Sequence, residues 1–297
     1  SIGSVIKEIP RTIDGIDTVE VLVINDGSTD ATSQKSIESG ADHIFNHKRN
    51  LGLAKSFRDG LNIALELGAD IIVNTDADFQ YNGQEIPALI SPILKGEADI
   101  VIGNRQISSL DHMPGGKLWG NRIATKVTRF ATGLPIEDAQ TGFRAFSRDA
   151  ARKMNLTGDY TYVQETLIQA AHKDLTLVQI PVEFRKREGE SRLISSLPRY
   201  ASMAGRTIFR SFRDYNPFQV FSYLGILLII IGLIIGFKVI THYLSTGMVT
   251  PYLPSAVLTT VLVTVGLQAI VFGLLADMIK TQRIYIEEIL YRLKDSK

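Results

Sequence analysis

The chain has no cysteine in its 297 residues, which excludes disulfides and thiolate metal sites and fits a cytoplasmic face. It also lacks an excess of charge. Its 32 Lys and Arg nearly cancel 31 Asp and Glu, leaving a net charge of +1. A protein that tracks a phosphate backbone carries a basic surplus, so nucleic acid is not an expected partner. The five histidines, His43, His47, His112, His172 and His242, have no ligand spacing and read as packed or solvent-facing side chains. Long apolar runs are missing before about Arg213. The first one starts far from the N-terminus, so it is no signal peptide.

Beyond that point the composition changes. Tyr215 to Phe237 carries no charge, and neither does Tyr243 to Ala276, within which a helix is expected over Leu253 to Ala276. Each core holds ~20 or more residues, enough at ~1.5 Å per residue to cross a ~30 Å hydrocarbon layer. The connection contains Gly247, Pro251 and Pro254, and the pair reads as a hairpin over 215–276. Thr241 to Pro254 has no Lys or Arg, whereas Arg199, Arg206, Arg210 and Arg213 precede the hairpin and Lys280 and Arg283 follow it. Positive residues stay inside, so a multi-pass protein of the cell membrane with both ends cytoplasmic is expected. Residues 193–214 place Leu197, Ala201, Ala204, Ile208 and Phe212 on one face and arginines on another, the pattern of a helix lying in the interface. The tail, 277–297, reads as a cytoplasmic amphipathic helix. Membrane, soluble domain and a second protomer are all open to it, so a homo-oligomer is among the expected partners.

Residues 1–192 alternate strand and helix signals. Val19–Ile24, Asp42–Phe45, the run ending at Asp76, and Ile100–Ile102 read as strands. Helices are expected up to Gly40, over Leu51–Leu67 and over Glu85–Leu94. The alternation predicts a Rossmann-like α/β domain with a mostly parallel sheet, whose ligands bind at the carboxyl ends of the strands. Asp26, Asp76 and Arg105 all follow strands at those ends. The opening helix (Ile2, Val5, Ile6, Ile9) has no strand before it, so the chain reads as truncated at its front.

Asp76-Ala77-Asp78-Phe79-Gln80 follows the apolar run Ile71-Ile72-Val73. In an extended segment alternate side chains point the same way, which would bring Asp76, Asp78 and Gln80 together. Hard oxygen ligands of this kind suit Mg²⁺ or Mn²⁺, with positions left for phosphate and water.

Six motifs stand in order along the chain: Asn25-Asp26-Gly27-Ser28-Thr29-Asp30, Asp76-Ala77-Asp78-Phe79-Gln80, Gly103-Asn104-Arg105, Asp138-Ala139-Gln140-Thr141-Gly142-Phe143-Arg144, Gln164-Glu165-Thr166-Leu167 and Arg187-Glu188-Gly189-Glu190-Ser191-Arg192. With them the chain resembles the inverting family 2 glycosyltransferases of GT-A fold, specifically the dolichyl-phosphate mannose synthase-like, polyprenyl-phosphate glycosyltransferases. It departs from them in lacking the first strand and in reading Asn25-Asp26 where relatives have two acids. Processive polysaccharide synthases share the early motifs but carry Gln-x-x-Arg-Trp, and the single tryptophan here, Trp119, follows Lys117-Leu118 instead. A catalytically idle nucleotide-binding scaffold is the remaining alternative.

The resemblance implies a nucleotide-sugar donor (GDP- or UDP-), a polyprenyl or dolichyl phosphate acceptor, a lipid bilayer and a divalent cation. It implies roles as well. Asp26 and Gly27 would hold the nucleotide, and the helix amides after Asn50 and Gly52 would face the diphosphate. Asp76 would bond the ribose or a metal-bound water, with Asp78 and Gln80 on the metal. Arg105, Arg122, Arg187 and Arg192 would position the acceptor phosphate, with Lys186 the alternative to Arg187. Glu165 would pair with these arginines or orient a donor hydroxyl.

Overall fold

The computed structural model describes residues 1–107, 115–156, 158, 162–186 and 216–295. Arg187, Arg192, His112 and the expected interfacial helix over 193–214 lie outside the described residues. The chain divides into two compact units, Ser1–Ser211 with Tyr291–Lys297, and Phe212–Leu290.

In the first unit α1 spans Ile2–Glu8, β1 Leu22–Asn25, α2 Thr32–Glu38, β2 His43–Asn46, α3 Leu53–Glu66 and β3 Ile71–Asn74. A 3₁₀ turn over Gly83–Glu85 leads into α4, Ile86–Leu94. Then come β4 (Ile100–Asn104), α5 (Gly115–Thr132), β5 (Arg144–Ser147), α6 (Arg148–Lys153), α7 (Val163–His172) and β6 (Leu177–Pro181). The expected strands and helices are present, each within a few residues of its expected bounds.

The strands pair in parallel except at β5, which makes the second sheet mixed. β1 and β2 form a parallel pair, and β3-β5-β4-β6 form a second sheet. β5 runs antiparallel to both β3 and β4, with Asn74 opposite Arg144 and Ile102 opposite Arg144. β5 escapes a hydropathy reading because Arg144 and Ser147 bracket only Ala145 and Phe146. β4 and β6 are parallel. β3, β4 and β6 therefore end on one edge, the edge where β5 begins. The segments after Asn74, Asn104 and Pro181 and the segment before Arg144 meet there.

Alternation along the strands fills both faces. Ile100, Ile102 and Phe146 pack on one side with Phe57, Leu61 and Tyr162, whereas Val101 and Ala145 face Tyr81, Leu89, Ile90 and Phe143. Phe57 stacks on Tyr162 with ring centroids 3.7 Å apart. Full burial of such a side chain stabilises by about 1.5–3 kcal/mol.

The second unit contains α8, Pro217–Thr246, which has proline in its first turn and ends on Gly247 in the left-handed conformation, and most of α9, Leu253–Asp295. Both helices are long and apolar enough to cross a membrane. α9 continues without a break past Ala276, because 277–295 contains neither Gly nor Pro to stop it. The two helices approach along a glycine seam. A Cβ on Gly225 would lie 2.5 Å from the carbonyl oxygen of Gly266, and one on Gly266 would lie 2.7 Å from that of Gly225. Gly232 and Gly236 meet Leu262, Val263 and Thr259 in the same way.

Candidate active site

β3 stops at Asn74, and Asp76–Gln80 is a turn, not a continued strand. Phe79 has φ +65°, which breaks the alternation on which the convergence of Asp76, Asp78 and Gln80 was expected. The turn is built instead by hydrogen bonds. Asp78 Oδ1 accepts from the Gln80 amide at 3.2 Å. Gln80 Nε2 donates to the Arg185 carbonyl at 3.2 Å, and the Arg185 amide donates to the Gln80 carbonyl at 2.8 Å. An amide anchored through its nitrogen presents its oxygen, Gln80 Oε1, as the free acceptor type.

Asp76 lies against Gly142. A Cβ there would come 2.9 Å from Asp76 Oδ2 and 3.1 Å from Tyr162 Oη. Asn74 Nδ2 donates to the Gly142 carbonyl at 2.7 Å and to Tyr162 Oη at 2.8 Å, and the Gly142 amide donates to Tyr81 Oη at 3.0 Å. Burial pushes the Tyr81 phenol up to about 12; Arg105 opposes the shift and Asp76 adds to it. Tyr81 therefore stays protonated, its Oη also 3.2 Å from Thr141 Oγ1. The donor set of two carboxylates and an amide oxygen, with a glycine leaving space for Asp76, fits a hard divalent cation. Among the described residues no three His, Asp or Glu gather as a metal group. An ion held here would complete its shell with diphosphate oxygens and water.

Arg105 is not free to fork around a phosphate. It is 8% exposed, and its Nε and Nη2 donate to Asp138 at 2.7 and 2.9 Å. Its guanidinium sits 5.0 Å from the centre of the Phe184 ring. The expected place at a strand end is correct, and there Nε and Nη2 are taken up by a structural pair, since a buried cation requires a buried anion. Burial would lower the Arg105 pKa, but Asp138 outweighs it and holds it above its ordinary value.

Asp26 is likewise turned inward. Its Oδ1 accepts from the Leu51 amide at 2.8 Å and its Oδ2 from the Gly52 amide at 2.9 Å, and His47 Nδ1 lies 2.8 Å from Oδ1. Asp26 thus organises the 49–52 loop. The Leu51 and Gly52 amides point at it and not at a diphosphate. Burial alone would raise the Asp26 pKa, but the hydrogen bonds from Leu51, His47, Gly52 and Ser56 outweigh it and hold the carboxyl below its ordinary range. Gly27 has φ +70°, and a Cβ on it would lie 2.4 Å from the Arg49 carbonyl carbon, so no larger residue fits. Asn50 is exposed.

His47 is buried between two acids, its Nε2 3.0 Å from Asp59 Oδ2, so it is neither solvent-facing nor simply packed. Sequence reasoning also passed over Asp138, Tyr81, Arg185 and the role of Arg144. Arg144 is fully buried and donates to the carbonyls of Thr141, Val163 and Ala139, tying the 138–144 loop to α7. Burial lowers its pKa to about 10, partly offset by Tyr162, Asp138 and Tyr81. The signal for Asp138 and Arg144 was their place inside the Asp138–Arg144 motif, whereas Tyr81 and Arg185 lie just outside the motifs and carried none. Glu165 is buried and accepts from the Gly158 amide at 3.0 Å and from Gln169 Nε2 at 3.5 Å. Arg122 is exposed on α5, and the same helix exposes Ile123, Val127 and Phe130.

Residues 2–154 match the family described as glycosyl transferase family 2, and this is half of the chain. The chain belongs to that family. It is a glycosyltransferase. It is 30% identical over 195 residues to a dolichyl-phosphate hexose transferase of Haloferax volcanii, covering 65% of this chain and 81% of the relative. It is 27% identical over 209 residues to an undecaprenyl-phosphate mannosyltransferase of Micrococcus luteus, covering 63% and 83%. A low-salt glycan biosynthesis hexosyltransferase of H. volcanii is 29% identical over 201 residues, with 65% of this chain but only 47% of that longer protein covered. Among solved structures, glucosyl-3-phosphoglycerate synthase of Mycobacterium tuberculosis, in complex with Mn²⁺, UDP-glucose and phosphoglyceric acid, shares the GT-A fold. Its TM-score is 0.56 at 21% identity, covering 72% of this chain and 74% of that one.

Proposed function

We propose that the glycosyltransferase moves a sugar from a GDP- or UDP-sugar to a polyprenyl or dolichyl phosphate at the cytoplasmic leaflet of the cell membrane. The observation that carries this reading is the Asp76–Gln80 turn, set on the edge where β3, β4 and β6 end. Support for the lipid acceptor comes from the named relatives and from two helices long and apolar enough to span a bilayer. The exposed Ile123, Val127 and Phe130, beside Arg122 and Lys126 on α5, add a lipid-compatible surface on the first unit itself.

Asp76, Asp78 and Gln80 are assigned to the divalent cation, Mn²⁺ or Mg²⁺, which when bound neutralises the leaving diphosphate. Asp76 is fixed for this by the space at Gly142 and Gln80 by Arg185. Asp26, Gly27, Asn50 and Gly52 shape the wall of the nucleotide site, with Asp26 acting through the loop it holds. The acceptor needs no general base, because a phosphate monoester with a second pKa near ~6 is already ionised at neutral pH. Its oxygen attacks the anomeric carbon, the bond from that carbon to the diphosphate breaks, and the nucleoside diphosphate leaves with the electron pair. A single in-line displacement inverts the centre. Arg122, Arg187 and Arg192 supply the positive charge that brings one anion beside another.

The test is a matrix of donors against two acceptors, a polyprenyl monophosphate and the matching polyprenol. Transfer is expected with the phosphate alone, with the rate rising as pH passes upward through ~6. Equal rates with the alcohol would overturn the mechanism.

A further inference from the structure

Phe79, the residue between Asp78 and Gln80, is held in a left-handed conformation with φ +65° that costs a non-glycine side chain free energy. Something must keep it there. Its ring lies 4.9 Å from the guanidinium carbon of Arg185. Arg185 is itself fixed from three sides. Its Nη1 lies 2.8 Å from Glu8 Oε1 and 3.0 Å from Glu8 Oε2, and its Nε lies 3.6 Å from Glu183 Oε1. Its backbone pairs with Gln80 in both directions. One residue earlier, Phe184 bridges to Tyr81. The 184–185 segment thus runs as a short antiparallel brace along the turn that carries the metal candidates.

We propose that Arg185 is a positioning residue for the metal-binding turn. It clamps Phe79 in its left-handed conformation, so that Asp78 and Gln80 present their oxygens together before any ion arrives. The inference rests on the assignment of the divalent cation to that turn. Phe79 lies between Asp78, whose Oδ1 accepts from the Gln80 amide, and Gln80, whose Nε2 is held by the Arg185 carbonyl, so releasing Phe79 would loosen both side chains. Glu8 takes part by holding the guanidinium over the ring. Arg185 acts through Phe79 and Gln80, so its effect appears as lost preorganisation of the metal site.

The experiment measures Mn²⁺ binding by electron paramagnetic resonance in the presence of GDP or UDP, using the 297-residue protein in detergent. Metal-free nucleotide binding is measured in parallel. Wild type is compared with Arg185→Gln, Arg185→Lys, Phe79→Gly and the Arg185→Gln/Phe79→Gly double variant. Arg185→Gln is expected to weaken Mn²⁺–nucleotide binding about three- to thirtyfold, the range a lost cation–π contact converts to, while metal-free nucleotide binding stays within about twofold. Arg185→Lys is expected to recover part of the loss, because an ammonium still sits over the ring but lacks the guanidinium fork. Glycine adopts positive φ without strain, so Phe79→Gly separates the ring from the backbone conformation. Its loss and that of Arg185→Gln are expected to be non-additive, the mark of a direct coupling. Unchanged Mn²⁺ affinity in Arg185→Gln, equal losses with and without metal, or strict additivity overturns the proposal while leaving the metal assignment standing. A wild-type protein that binds nucleotide but no Mn²⁺ removes the metal assignment, and this inference falls with it.

Discussion

Asp138 holds Arg105 by both carboxylate oxygens, at 2.7 Å to Nε and 2.9 Å to Nη2, in a pair almost closed to solvent. The two residues lie 33 positions apart and join the end of β4 to the loop before β5. The pair therefore fixes two of the segments that frame the site.

Removing one member strands the other charge in the interior, at a cost of ~3–5 kcal/mol. Arg105→Ala is expected to lower the thermal unfolding temperature of the detergent-solubilised protein clearly. The Arg105→Met/Asp138→Leu double variant is expected to lose less, since no uncompensated charge remains. An Arg105→Ala protein as stable as wild type, with only its acceptor affinity reduced, would return Arg105 to the phosphate site.

Asp78→Ala is expected to abolish Mn²⁺-assisted nucleotide binding and to reduce transfer by ~10²-fold or more, the equivalent of several kcal/mol of charge stabilisation. Thermal unfolding should barely move, because Asp78 is a partly exposed turn residue. Chelator-sensitive turnover near the wild-type rate in this variant would move the metal elsewhere.

Gly142→Ala separates catalysis from folding. The added methyl would meet Asp76 Oδ2 at 2.9 Å and Tyr162 Oη at 3.1 Å, both ends of side chains and not backbone. Asp76 is expected to give way, for an overpacking cost on the order of 1–3 kcal/mol. Donor affinity in the presence of metal should fall by about tenfold or more, a larger fraction than the change in melting temperature. The comparison of calorimetric donor titrations with melting curves decides it.

Asp26 gives a pH dependence with a definite sign. Its folded-state pKa lies below the ordinary value, so its contribution to stability is complete above the unfolded pKa of ~4 and is lost as pH falls through the lower folded value. Unfolding temperatures measured downward from about pH 4 should show an acid limb that flattens in Asp26→Asn. An identical limb in the variant would place the acid sensitivity in other carboxylates.

Strand ends and the carboxylate motif were legible because apolar runs bounded by polar turns leave a strong local pattern. Residues Ile71–Val73 and Ile100–Ile102 announced β3 and β4, and Asp76 and Arg105 were correctly placed just beyond them. The inward turn of Asp26, the Arg105–Asp138 pair and the clamping of Phe79 by Arg185 were not legible. Each depends on a partner many residues away, and charge alone does not distinguish a guanidinium that meets substrate from one that meets Asp138. The antiparallel β5 stayed hidden for another reason. Four residues, two of them polar at its ends, give no hydropathy signal, and its place is set by pairing with β3 and β4. His47 looked unremarkable because two acids on either side of it, Asp26 and Asp59, come from a loop and a helix.

The glycine seam of the hairpin acts as a key for alignment. Where Gly225 and Gly266 cross, each backbone occupies the volume that a methyl group on the other would need. Sliding one helix by a single residue would bring Ile226 or Leu267 to the crossing and force the backbones apart. The crossing therefore disfavours a one-residue slip, and a pair keyed this way behaves as a single insert with a fixed outward face. In the membrane setting proposed above, lipid tails would meet the same side chains at every moment, and any thinning or tilting of the bilayer would act on the pair as one body.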